Sequence, residues 1–490
     1  MEEAIELVFI PAPGMGHLVS AVEAAKLLLR TRPHSLSITV FIMKLPFDSK
    51  VNSYIESLLA DDEISRLKFV PLEVDPPDEH LKENPDKTVF FRLFVESHKP
   101  KVKDCVIEMR DSRGSCGARI AGFVVDMFCT AMMDVADELG LPTYVFYTSG
   151  AAMLGLHLHL QSLRDDHGVD VTEIKDSDPD LSISTYSKPF PAKLLPAVAL
   201  LKTGGSTMFL DIPVRLRRAK GILVNTFFEL ETHALESLSR DEKVPPVYPV
   251  GPILNIKSDK KGGESEDEIM KWLDDQPDSS VVFLCFGSGG SFSEPQVKEI
   301  AYGLERSGHR FLWSLRQPPS ESSPFPTDYN NLEEVLPEGF LERTKNMGKV
   351  IGWAPQATVL AHPAVGGFLS HCGWNSTLES VWFGVPMAAW PIYAEQQANA
   401  FQLVTDIGVG VEVRMDYKRD MIVGYAGVSE DVTAKEIEIG ITSLMDHPAT
   451  NPVWIKAKEL KEISKKTLLE GGSSFNFLES FFECVINNLR

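Results

Sequence analysis

The chain has 490 residues, with 48 Lys and Arg against 69 Asp and Glu, a formal net charge of −21. Hydrophobic residues make up 43% and charged residues 24%, the composition of a folded globular chain rather than a disordered or fibrous one. The acidic balance argues against broad binding to nucleic acid or anionic membrane surfaces, and a chain of this length is expected to divide its core between two domains.

The N-terminus begins acidic, and Pro11 and Pro13 break its short apolar run, so it does not read as a secretory signal. Strand candidates follow at 5–10, 37–43, 120–125, 143–147 and 221–225, then at 280–286, 310–315, 349–352, 366–370, 387–389 and 410–413. These runs are rich in Val, Ile and Phe and show little polar alternation, as strands covered by helices on both faces do. Helical patterns separate them, which predicts doubly wound parallel α/β sheets. Between the halves, 243–252 (KVPPVYPVGP) is too proline-rich for a helix or central strand and reads as a stiff connection. Charged 257–268 and proline-rich 317–331 read as surface loops. Ser293 with Gln296, and Ser376 with Glu379, have the spacing of helix-opening capping boxes. The expected division is an N-terminal domain at 1–245, a linker at 246–256, a C-terminal domain at 257–470 and a closing segment at 471–490. No stretch reaches the roughly 18 apolar residues of a membrane span. Six cysteines without a CxxC pair imply reduced thiols in a cytoplasmic protein, with no disulfide framework and no zinc site.

Chemistry concentrates at a few turns. After the first strand comes Pro11-Ala12-Pro13-Gly14-Met15-Gly16-His17. A dinucleotide fingerprint would need a third glycine at 19, where Val19 stands, which counts against a nicotinamide enzyme. His17 is either a capping histidine or a cleft residue. Asp126, ending its strand, is either an N-cap or the partner that fixes the His17 tautomer for general-base work. In the second half, Trp353-Ala354-Pro355-Gln356, the run 366–379 (GGFLSHCGWNSTLE) and Glu395-Gln396 stand out. There a strand leads through a Gly-containing turn into a helix, whose free N–H groups and dipole suit a phosphate. His371, Asn375 and Ser376 add donors, and Glu379 is placed to accept from ribose hydroxyls or to complete the cap. Trp353 is a base platform or core.

Segment 353–396 resembles the plant secondary-product glycosyltransferase box in its residue types, spacing and 44-residue length. The likeness extends to the PxPGxGH turn, the Asp126 strand end and the turn 286–292 (FGSGGSF), and so to the plant family 1 UDP-sugar-dependent glycosyltransferases. That resemblance implies the GT-B fold, two facing Rossmann-like domains with a cleft between them, and a last helix that packs back on the first domain. It implies that Trp353 stacks on uracil, with Ala354 and Gln356 beside it. Glu379 would hold the ribose, and His371, Asn375, Ser376 and nearby Ser288 the diphosphate. Trp374, Glu395, Gln396 and Thr148 would meet the sugar. Glu395 replaces the family's usual Asp, and Gln396 is the residue associated with glucose. His17 and Asp126 would be catalytic. Gly16, Phe128, His157 and Phe190 are assigned to an apolar acceptor pocket suited to a flavonoid, another phenolic or a terpenoid. The expected reaction is inverting transfer of glucose from UDP-glucose, giving a β-O-glucoside and UDP. It would be metal-independent, without a cofactor, in a monomer whose partners are the sugar donor and a small-molecule acceptor.

Overall fold

The structure, a computed structural model, describes residues 4–32, 35–45, 49–60, 65–73, 87–112, 118–202, 204–256, 264–320, 323, 325–419 and 429–489. Two parallel sheets organise it. The first has seven strands, β1 (Ile5–Ile10), β2 (Leu36–Met43), β3 (Leu67–Leu72), β4 (Arg119–Asp126), β5 (Thr143–Tyr147), β6 (Ile222–Val224) and β7 (Val247–Pro249), in the order β3-β2-β1-β4-β5-β6-β7. A small antiparallel pair, β10 (Arg316–Gln317) and β11 (Thr327–Asp328), is formed by Arg316 and residues of the stretch 317–331 expected to be loop. The second sheet has six strands, β8 (Val281–Cys285), β9 (Arg310–Ser314), β12 (Gly348–Ile351), β13 (Val365–Ser370), β14 (Met387–Ala389) and β15 (Gly410–Glu412), in the order β12-β9-β8-β13-β14-β15.

Why the strands read as unbroken apolar runs is visible in β1 and β8. Leu7 and Phe9 join one core cluster and Val8 and Ile10 another, on the opposite face of the sheet. Likewise Val281, Phe283 and Cys285 face one cluster and Val282 and Leu284 the other. Both faces are covered, so these positions are apolar, and the one charged residue of β1, Glu6, is buried with its Oε1 accepting from the Thr39 hydroxyl. The helix α1 (Met15–Thr31) buries Leu18, Val22, Ala25 and Leu29, the three- and four-residue spacing of one helical face.

Four expectations about elements change. Val247–Pro249, read as connector, is an edge strand, where proline is tolerated because only one side of the strand must pair. β3 was not anticipated, since Lys68 and Pro71 make it look irregular; it too is an edge. Of the expected loop 257–268, residues 264–268 open a helix (Glu264–Asp274), and 257–263 lie outside the described residues. The Ser376–Glu379 capping box does not form, because that helix starts at Trp374 with Gly373 as its cap, placing Ser376 inside the first turn.

The register of the sheets positions the site. Ile10 pairs with Val125, and Asp126 pairs with Phe146, so the turn after β1, the end of β4 and the end of β5 lie side by side. In the second sheet Ser370 pairs with both Cys285 and Ala389, which aligns the turns after β8, β13 and β14. These are carboxyl ends of parallel strands, where ligands bind in such sheets. The final helix (Ser473–Asn487) packs Leu478, Phe481 and Val485 into the first sheet's cluster with Tyr144 and Tyr248. Among the described residues, no helix is long and apolar enough to cross a membrane.

Candidate active site

The turn Pro11–Gly14 delivers His17 into the first turn of α1, next to the end of β4. Its Nδ1 lies 2.8 Å from Asp126 Oδ2 and 3.1 Å from Thr148 Oγ1. The other oxygen of Asp126, Oδ1, accepts the Phe128 backbone N–H at 2.9 Å, capping the short 3₁₀ turn Met127–Met132. Asp126 therefore caps the turn and holds the His17 ring at once, on different oxygens. A carboxylate only accepts, so the proton of the neutral His17 ring belongs on Nδ1 and Nε2 is left unprotonated. Burial disfavours the imidazolium, but the charge and hydrogen bond of Asp126, with the charge of Glu395, outweigh it, and the His17 pKa stands above 6.5.

His17 opens on a cavity of about 330 Å³ between the two sheets. Its wall is mainly apolar, with Met127, Phe128, Met153, Val198 and Phe209 from the first domain. The second domain contributes Trp374, Asn375, Tyr393, Ala394 and Glu395. Gly16 and Thr148 also line it.

Opposite α1, the helix α2 (Trp374–Phe383) presents its N-terminus. Asn375 Nδ2 lies 3.4 Å from the Gly16 carbonyl, and its Oδ1 the same distance from Ser20 Oγ, so two helix N-termini face each other. The turn before α2 is tightly built. Cys372 holds a left-handed backbone (φ 61°), and its carbonyl accepts from Asn399 Nδ2 at 2.9 Å. The His371 ring is sandwiched between Gly287 and Gly373, where any Cβ would come within 2.6 Å of its Nε2. Burial pushes the His371 pKa down to about 4, so the ring is neutral. The ring brings no positive charge. Ser288 is exposed in the adjoining turn after β8.

Gln356 Nε2 donates to Ser376 Oγ (2.9 Å) and Glu379 Oε2 (2.7 Å), which gathers these three residues at one end of α2. Burial pushes the Glu379 pKa up to about 7. Beside them Ala354 is buried, whereas Trp353 is 56% exposed. A tryptophan left that open is not core.

A match to the family described as UDP-glucoronosyl and UDP-glucosyl transferase covers residues 245–448. UDP-glycosyltransferase 71E1 of Stevia rebaudiana is 55% identical over 484 residues, 98% of each chain. UDP-glucose flavonoid 3-O-glucosyltransferase 6 of Fragaria ananassa is 54% identical over 494 residues, 99% of each. The crystal structure of Medicago truncatula UGT71G1 complexed with UDP-glucose superposes with a TM-score of 0.84 at 42% identity, covering 98% of both chains. The chain belongs to the plant family 1 UDP-glycosyltransferases. Its two facing parallel-sheet domains are the GT-B fold.

Within this family member, two residues assigned to the acceptor pocket lie away from the cavity wall, and two assigned to the sugar also make contacts inside the protein. His157 does not line the cavity; it is fully buried between helices, and burial pushes its pKa down to about 4. Phe190 is also core, packed against Tyr186 and Phe401 across the domain boundary. Trp374 lines the cavity, but its indole N–H donates to the Asn225 carbonyl at 2.7 Å and so ties α2 to the first domain. Gln396 uses its Oε1 to accept the Ile392 and Tyr393 backbone N–H groups at 2.9 and 3.0 Å, which shapes the loop that carries Glu395.

Other residues were not anticipated. Buried Glu231 accepts the Ala151 and Ala152 N–H groups (2.8 and 2.9 Å) and Gln402 Nε2 (2.7 Å), capping a first-domain helix and bridging the domains. Tyr393 and Ala394 line the cavity from inside the singled-out segment; their place between Pro391 and Glu395 was the available signal. Lys418 and Arg419 line it from a stretch with no local signature.

Proposed function

We propose that the protein transfers glucose from UDP-glucose to a hydroxyl of a small apolar acceptor, a flavonoid-like phenolic, with inversion at the anomeric carbon. The observation that carries this reading is the His17 imidazole, held through Nδ1 by Asp126, on an apolar cavity that it shares with the N-terminus of α2.

His17 Nε2 takes the proton of the acceptor hydroxyl. The oxygen forms a bond to the anomeric carbon as the bond from that carbon to the diphosphate breaks on the opposite face. UDP departs, the α-linked donor yields a β-glucoside, and Asp126 steadies the resulting imidazolium. Negative charge grows on the diphosphate. The α2 N-terminus, Asn375, Ser376, Ser288 and neutral His371 are placed to stabilise it without net positive charge of their own. Trp353 supplies the face for uracil, Gln356 and Glu379 the ribose contacts, and Glu395 with Thr148 the contacts to the sugar. This charge stabilisation is proposed to run without a metal ion, in a cytoplasmic monomer.

Glucose as the sugar and a flavonoid as the acceptor class accord with the Fragaria ananassa relative named above. The wall of Phe128, Met153 and Phe209 suits a flat aromatic and discriminates poorly between close analogues, so several acceptors are expected. The test is an acceptor-by-donor panel read by mass spectrometry, with UDP release measured in parallel. Transfer of a hexose from UDP-glucose to phenolic hydroxyls is the expected result. Absence of any glycoside across the panel would overturn the reading.

A further inference from the structure

We infer that His157 sets the acceptor-facing wall of the cavity by replacing a helix hydrogen bond that Pro213 removes. The inference rests on the acceptor role proposed for this cavity. It starts from a residue the chemistry does not use, a fully buried histidine on the helix α3 (Ala151–Asp165), and from a proline inside the neighbouring helix α4 (Gly205–Leu216).

In a helix the backbone N–H of residue 213 would bond the carbonyl of residue 209. Proline has no N–H, so the Phe209 carbonyl loses its intrahelical partner. A buried carbonyl without a partner is costly. Here the partner comes from outside the helix: His157 Nε2 hydrogen-bonds the Phe209 carbonyl. Because a carbonyl only accepts, Nε2 must carry the proton. Nδ1 is then free to accept from the Tyr147 hydroxyl, 3.4 Å away. The imidazole also lies against the Phe209 ring, with centroids 3.9 Å apart at 30°.

The two residues that His157 joins, Tyr147 and Phe209, both line the cavity, as do Met153 one turn before it on α3 and Met208 on α4. One side chain thus ties the end of β5 to α3 and α4 and sets how far Phe209 and Met208 project toward the acceptor. Since burial keeps the ring neutral, this is a hydrogen-bonding role with no part in proton transfer. His157 is a positioning residue for acceptor fit.

The experiment compares His157→Leu, His157→Gln, Pro213→Ala and the His157→Leu/Pro213→Ala double variant. Kinetics are run with UDP-glucose against one small phenol and one flavonoid-sized acceptor, and thermal midpoints are measured without substrate. His157→Leu is expected to raise the flavonoid KM by roughly tenfold, the scale of one buried hydrogen bond. It should do so more than the small phenol's KM, with the UDP-glucose KM unmoved. The Gln amide can still donate, so His157→Gln should recover part of the loss. Pro213→Ala returns the N–H to residue 213, so the double variant should regain both thermal midpoint and acceptor KM relative to His157→Leu. Should His157→Leu not fold, the expectation is that Pro213→Ala restores folding. A His157→Leu protein with wild-type acceptor KM values, or a double variant no better than it, would overturn the inference. The thermal rescue needs no acceptor, so its failure is distinct from failure of the transferase reading, which wild-type turnover decides.

Discussion

His17 Nδ1 sits 2.8 Å from Oδ2 of Asp126, a residue 109 positions further along the chain. The strand order makes them neighbours: β1 and β4 lie side by side, and the pairing of Ile10 with Val125 brings their ends level. If this pair is the proton-handling unit, His17→Ala should lower turnover on a phenol by about 10²–10⁴-fold, the usual worth of a general base. The UDP affinity of the variant should stay near wild type, because the residues proposed to hold uracil, ribose and diphosphate lie on the other domain. Steady-state kinetics beside UDP calorimetry checks both halves. Turnover of His17→Ala near the wild-type value would refute the assignment.

The pH profile offers a second check. Burial lowers the His17 pKa, but Asp126 and Glu395 raise it more, so the group titrates above 6.5. A base works only when neutral, so kcat/KM should climb as pH rises through that raised value and then level off. Asp126→Asn and Glu395→Gln each remove one of the raising charges and should move the acid limb to lower pH. Profiles that keep their acid limb in place in both variants would count against His17 as the titrating base.

Glu379 carries its own pH signature. Its carboxyl is pushed up to about 7 by burial, so it holds its proton below that value and is ionised above it. Ribose hydroxyls donate best to the ionised form. UDP affinity should therefore rise with pH through about 7 and flatten above, with proton release on binding in the lower range. Glu379→Gln should bind UDP more weakly, with no such slope. Calorimetry in buffers of different ionisation enthalpy reads both quantities.

Gly287 holds a φ of 72°, and a Cβ there would lie 2.6 Å from His371 Nε2. Gly287→Ala should cost about 1–2 kcal/mol from the left-handed backbone alone. By displacing the His371 ring it should also raise the UDP-glucose KM more than the acceptor KM. Thermal melts and a two-substrate KM comparison test this. Equal changes in the two KM values would show that the ring's place matters only for folding.

Central strands were legible in the sequence because burial on both faces makes apolar residues dominate them, as in the runs that became β1, β4, β8 and β13. The edges were not. β3 includes Lys68 and Pro71, β7 sits in a proline cluster, and an edge relaxes the constraint that makes a strand recognisable. At the site, turn chemistry was legible: Gly14 to His17, and His371 to Asn375, could be placed at strand ends. The uses of long side chains were not. Trp374 reaches back 149 positions to Asn225, and Gln396 turns its carbonyl oxygen onto its own loop.

By itself, the sequence determined alternation of strand and helix, the glycine-bearing turns at the strand ends and a segment, 353–396, that resembles the family's characteristic box. The first two follow from periodicity or from neighbours within a few residues, and the third is read by resemblance. Only the tertiary structure decided which carboxylate meets His17, that one Asp126 side chain both caps a turn and holds the imidazole, and that His157 serves the fold while Trp353 stands open. The physical reason is that such contacts depend on the order of strands in the sheet and the facing of two domains. Those arise from packing over more than a hundred residues, as the 109 positions between His17 and Asp126 show, and no local pattern encodes them.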